Sequence, residues 1–281
     1  MVRAVLECRR RCLPIAAYQR REKLRCLFCK ADSSSSRSRE HIVPESFGNA
    51  EHVLEPGVVC DGCNNYLARK VEKPILDSLY FKERRFRAAV QNKRGRVVPL
   101  DGVHLTSGTS IKVYADTGGI SIGVHLDADE VRLIESLLGQ SQGTLVFPVA
   151  DPPDERVLAR FVGKVGLEAL ASRLIKAGMS YEELVDEPAF DDLRNFVRRG
   201  TGPHQWSVAR RQLYSPDTVF TDDNEHYELL HEYELLLRPI DKANDLYACY
   251  ISLVLFGEEF VLNMGSPTLD GFETWRAGSK R

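Results

Sequence analysis

Two C-x-x-C pairs, Cys26 with Cys29 and Cys60 with Cys63, stand 30 residues apart, and no other feature limits the fold of this region as much. Four thiolates in two such knuckles give tetrahedral sulfur coordination, the geometry of structural zinc. Zn2+ is redox-inert and, held by four cysteines, keeps no open position for substrate. A redox dithiol needs only one pair, so two pairs fit that reading poorly. Structural zinc binds finger peptides with ~10–16 kcal/mol, comparable with the ~5–15 kcal/mol that holds a domain folded. The region is therefore predicted to depend on its metal for folding. Cys8, Cys12 and Cys249 are scattered and read as buried or incidental thiols.

Charge divides the chain. Its 281 residues hold 38 Lys+Arg and 40 Asp+Glu for a net of -2, but residues 1–100 carry 21 basic against 11 acidic side chains. The remaining 181 carry 17 against 29. A basic block of this kind points to a polyanionic partner. The longest apolar run, Leu246 to Phe256 with Ser252 inside it, is well short of the ~20 residues a membrane span needs. No membrane association is expected, and the location expected is cytoplasmic. Residues 1–23 read as a basic N-terminal arm.

The texture changes after Val97. Up to there lie short motifs and turns, then a Lys/Arg-rich run from Lys82 to Arg96 with Phe81 and Phe86 beside or within it. Beyond it, period-two runs at Ser110–Tyr114 and Ile120–Val124 predict strands joined at Thr117-Gly118-Gly119. Asp127 caps a helix to about Leu138, and Thr144 to Val149 is a further strand. Pro152 to Glu155 opens a long helix with a broad apolar face ending at Gly178, and a second helix covers Tyr181 to Arg199. His226–Ile240 and Leu246–Leu262 alternate as paired strands. The expected organisation is a basic arm (1–23), a zinc-braced unit with its basic extension (24–97) and an α+β domain (98–281) that regulates, targets or binds a partner.

Between the knuckles stands Glu40-His41-Ile42-Val43-Pro44, and directly after the second come Asn64 and Asn65. In these residues the chain resembles the HNH endonucleases, in the subgroup whose ββα-metal fold is braced by four cysteines. The resemblance runs from about Leu24 to Leu79. It implies an α+β chain, with a small ββα-metal domain followed by a larger mixed domain, and hydrolysis of phosphodiester bonds. His41 is then the general base, since a neutral imidazole suits proton abstraction near neutral pH. Glu40 and Asn64 become ligands of a catalytic Mg2+ or Mn2+, distinct from the zinc; the ligand amide is Asn64 or its neighbour Asn65. Glu40 and His41 would face opposite sides of a regular strand. For the residue that orients the histidine loop, Asn49 is preferred over His52 and Glu55.

Arg69 and Lys70, beyond the asparagines, and Arg84, Arg85 and Arg87 in the basic run are the candidate phosphate contacts. Pro74 is expected to kink or end the helix near Lys73. His104, His125, His204, His226 and His231 read as structural. The expected partner is nucleic acid, DNA favoured over RNA, with a protein partner or self-association through the acidic C-terminal domain. A restriction or anti-phage effector is one setting for such an enzyme. The alternative is a non-catalytic zinc-ribbon module that binds nucleic acid or protein.

Overall fold

The computed structural model describes residues 24–278 apart from 93, 117–118, 125–127, 139–142, 217, 223–224, 242 and 244–245. The basic arm with Cys8 and Cys12, His125, and the turn and cap residues Thr117, Gly118 and Asp127 lie outside the described residues. A minimal hairpin comes first, β1 (Glu40–His41) and β2 (Val53–Leu54), with a 3-10 turn at Glu45–Phe47 between the strands. Helix α1 (Asp61–Leu67) passes through a π turn (Ala68–Glu72) into α2 (Lys73–Asp77), and α3 (Leu79–Arg87) follows. Next are β3 (Leu100–His104), β4 (Ser110–Asp116), β5 (Gly119–Val124), α4 (Ala128–Leu137) and β6 (Leu145–Val146). Three helices come after them: α5 (Glu155–Lys176), α6 (Glu182–Asp186) and α7 (Asp191–Arg199). The chain continues with β7 (Val208–Gln212), β8 (Val219–Asp222), β9 (Glu225–Glu228), β10 (His231–Asp241), β11 (Leu246–Leu255), β12 (Glu258–Asn263) and α8 (Phe272–Gly278). None of the described helices is long and apolar enough to cross a membrane.

Two compact units form, and they interleave along the sequence. One comprises residues up to Pro44, Asn49–Ile75 and Asp154–Arg281; the other comprises Glu45–Gly48 and Leu76–Pro153. Neither is one of the contiguous blocks 24–97 and 98–281, because packing joins the zinc-braced segment to helices more than a hundred residues later.

The larger unit is built around α5. Asp154 caps its first turn by accepting from the N–H groups of Arg156 and Val157. From Leu158 to Leu174 nearly every side chain is buried, polar Lys164, Glu168 and Ser172 included. A helix enclosed on all sides needs partners on all sides. One is the antiparallel sheet ordered β10-β11-β12-β7; another is α7. Gly166 lets α5 lie close to that sheet, since a Cβ there would stand 2.9 Å from Ile251 Cγ2.

In the smaller unit the antiparallel sheet is ordered β5-β4-β3-β6. Ile111, Val113 and Leu133 form its core, with Phe86, Leu145 and Phe147 packed against them. His104 is buried there with Nδ1 2.8 Å from the Ser107 hydroxyl.

Several sequence expectations change in detail. The helix does not stop at Pro74. The preceding turn widens, Lys73 N–H donating to Ala68 O, and proline falls in the first turn of α2, where a missing N–H is tolerated. The predicted helix Tyr181–Arg199 divides at Pro188 into α6, a 3-10 turn and α7. The run Leu246–Leu262 is a hairpin, turned at Phe256 and Gly257 with φ of 51° and 82°. A Cβ on Gly257 would stand 2.2 Å from Tyr214 O, so glycine is required there. The strand expected over Thr144–Val149 shortens to β6, and β3, β7 and β8 were not foreseen.

Replacing Gly166 by Val forces methyl groups into Ile251 and Met264. Overpacking of this kind costs ~1–3 kcal/mol. The urea midpoint of the full chain is expected to fall accordingly; an unchanged midpoint would show that α5 does not pack this closely on the sheet.

Candidate metal centre and catalytic hairpin

The four predicted zinc ligands meet. Cys26, Cys29, Cys60 and Cys63 place their sulfur atoms all within 4.8 Å of one another, and Cys29 and Cys60 Sγ are 3.7 Å apart. Zn–S bonds of ~2.3 Å in a tetrahedron separate sulfurs by ~3.8 Å, so the donors fit zinc. Among the described residues this is the one group of three or more His, Cys, Asp or Glu close enough to share an ion.

Local backbone builds the two knuckles. Cys26 O accepts from Lys30 N, and Lys30 takes a left-handed φ of 61°. In the second knuckle Cys60 caps α1, its Sγ accepting from Cys63 N at 3.4 Å. Cys60 N–H donates to Cys26 Sγ at 3.3 Å, linking the pairs. A hydrogen bond from Cys63, with help from nearby N–H groups, pushes the Cys26 thiol down to about 4, and the same contact with burial pushes Cys63 up. Burial works against the Arg198 guanidinium of α7, but the cysteine sulfurs, Cys63 first, hold it above its ordinary range.

Distant residues clamp this segment. Arg25 bonds Glu182 and Asp186 at 2.6 and 2.7 Å, Lys30 meets Asp191 at 2.6 Å, and Tyr181 Oη donates to Arg25 O at 3.1 Å.

β1 and β2 pair Glu40 with Leu54 and His41 with Val53. Strand alternation holds: Glu40 is buried and His41 is half-buried on the other side. His41 Nδ1 is buried with no hydrogen-bond partner among the described residues. Asn49, also buried, ties the loop between the strands. Its Nδ2 donates to Val43 O at 2.6 Å and His52 O at 3.0 Å, and its Oδ1 accepts from the N–H groups of Glu51 and His52. All of its polar capacity goes into the histidine loop. The His52 ring instead packs edge-on against Tyr233 and His231. Asn64 turns Nδ2 to Arg39 O at 3.2 Å, beside the start of β1, while Asn65 is exposed with its carbonyl accepting from Arg69.

The Glu40 carboxylate turns to a lysine of α5. Its Oε1 lies 2.7 Å from Lys164 Nζ, a fully enclosed ammonium on α5. Glu72 Oε1 and Glu168 Oε2 approach the same nitrogen at 2.6 and 3.0 Å, and Lys164 donates to His41 O at 2.8 Å. Burial raises the carboxyls of Glu40 and Glu168 above the usual range. Burial works against the Lys164 charge, but the three carboxylates outweigh it and hold the ammonium protonated. The Glu40 carboxylate thus faces Lys164, while the Asn64 amide nitrogen faces Arg39 O. Sequence reasoning missed Lys164. Its signal was a Lys and a Glu at i, i+4 inside a helix apolar on every other side.

The candidate phosphate contacts have different surroundings. Arg69 and Lys70 are exposed on the π turn. Arg84 lies 3.4 Å above the Tyr80 ring, and Arg87 pairs with Glu83 at 2.8 Å. Arg85 is a correction. It is 5% exposed and donates to Leu76 O at 3.3 Å, so it serves the packing of α3 and not a phosphate.

Residues 26–80 match the family model described as HNH endonuclease. No curated protein and no solved structure matches the chain.

The purified chain is expected to contain about one zinc, and stripping it with a strong chelator should abolish cooperative unfolding of this unit. Cys63→Ser should do the same. A metal-free protein with an unchanged urea transition would refute the structural zinc site.

Proposed function

We propose that the protein, whose residues 26–80 match the HNH endonuclease family model, is a metal-dependent endonuclease that hydrolyses phosphodiester bonds, in DNA ahead of RNA, with His41 as general base. The observation that carries this reading is the half-buried His41, held on a short hairpin whose connecting loop is tied by buried Asn49. An imidazole fixed in this way can take the proton of an attacking water near neutral pH. When bound, a divalent ion, Mg2+ or Mn2+, would stabilise charge on the leaving oxygen. Asn64, whose Nδ2 is engaged by Arg39 O, offers its Oδ1 as a donor.

Exposed Arg69 and Lys70 on the turn beyond Asn64 support phosphate contact. Arg84 and Arg87 add positive charge on α3. A cytoplasmic role as effector of a restriction or anti-phage system rests on the family resemblance and on the long α+β remainder. Partner binding or self-association rests on the acidity of that remainder. Val131, Ile134 and Leu138, spaced to share one helical face at α4, are exposed, which adds support.

Cleavage of plasmid, single-stranded DNA and RNA with Mg2+ or EDTA tests the proposal. His41→Ala should slow cleavage by ~10²–10⁴ and leave binding intact, since the phosphate contacts lie elsewhere. Full activity in that variant would remove His41 as the base. Binding without hydrolysis of any substrate in the wild type would favour the zinc-ribbon module.

A further inference from the structure

We infer that Lys164 is the positioning residue of the His41 site, and that Glu40 is its counter-ion and not a ligand of the catalytic metal. The inference rests on the reading of His41 as the base.

The geometry is specific to the Glu40–His41 peptide. Lys164 Nζ takes the Glu40 carboxylate at 2.7 Å and the His41 carbonyl at 2.8 Å. One ammonium thus grips the side chain before the base and the backbone of the base itself. An ammonium has three donors. With two directed at β1, Glu72 at 2.6 Å and Glu168 at 3.0 Å surround the remainder. The four ionisable groups come from three places in the chain: β1, the π turn after α1, and α5.

The hairpin needs such a hold. β1 and β2 have two residues each and, among the described residues, pair only with each other, and an isolated two-stranded hairpin is marginal in water. A catalytic ring must stay within ~0.5 Å of its working position. Asn49 fixes the loop on one side, and Lys164 fixes the strand on the other. A purely structural origin explains the cluster less well. Enclosing one ammonium with three carboxylates is rarely more stable than packing apolar side chains of the same volume, and α5 is otherwise apolar at this level. Charge is retained where the carbonyl of His41 must be gripped from a direction that only a long cationic side chain reaches.

The same contacts remove Glu40 from the metal set. Its carboxylate is buried on the face of β1 opposite the His41 ring, with a cation already at bonding distance.

The full-length, zinc-loaded protein decides the matter with Glu40→Gln, Lys164→Met and His41→Ala. Gln keeps an acceptor for Lys164, so E40Q should fold, keep its zinc, bind Mn2+ by electron paramagnetic resonance within about twofold of wild type, and need the same Mg2+ concentration for half-maximal cleavage. A loss of tenfold or more in Mn2+ affinity would make Glu40 a ligand and overturn the inference. K164M should lower kcat by ~10² with KM for DNA unchanged. Wild-type kcat in K164M overturns the positioning role, even while H41A is inactive. If K164M does not fold, the E40Q metal measurements decide alone. If wild type cleaves nothing, the functional reading fails separately, and the His41 ring resonance then decides: no shift in K164M overturns the inference.

Discussion

A charged amine enclosed without solvent contact, Lys164, sits where the hairpin, the helix after the second knuckle and the long helix α5 converge. Removing one member of such a buried cluster leaves the others uncompensated, at a cost of ~3–5 kcal/mol. The cluster is therefore a point on which three elements depend together. It also explains why the segment 26–80 does not form a compact unit by itself. Its hairpin is too small to bury its own strand, and α5 supplies the missing wall.

The zinc-type cluster works at the other end of the same segment. Four sulfurs within 4.8 Å set the two knuckles, and the second knuckle starts α1, so an ion held there would fix the direction in which Asn64 and the π turn leave. Arg25, Lys30 and Tyr181 then dock the first knuckle onto α6 and the residues at the start of α7. The knuckles and helices α5 to α7 for this reason share the larger unit.

Legibility in the sequence followed range. The cysteine spacing, Asn49, the helix of α5 and the strands β4 and β5 were readable because capping, alternation and ligand spacing act over a few residues. Pro74 does not end the helix, since a widened turn before it absorbs a missing N–H that a regular helix would not. Arg85 misled for another reason. A run of arginines looks alike whether a side chain faces solvent or packs inward, and only α3 packing tells the two apart. Glu40 followed the family pattern in sequence while its carboxylate turned to a lysine 124 positions later.

By itself the sequence determined the cysteine knuckles and the α+β character, which depend on local spacing and residue chemistry, while the hairpin and the role proposed for His41 followed from the family resemblance. Only the tertiary structure decided that Glu40 faces Lys164, that Arg198 meets Cys63, and that the compact units interleave. Those outcomes are set by contacts between residues more than a hundred positions apart, where strand alternation and helix periodicity carry no information about which partner is met.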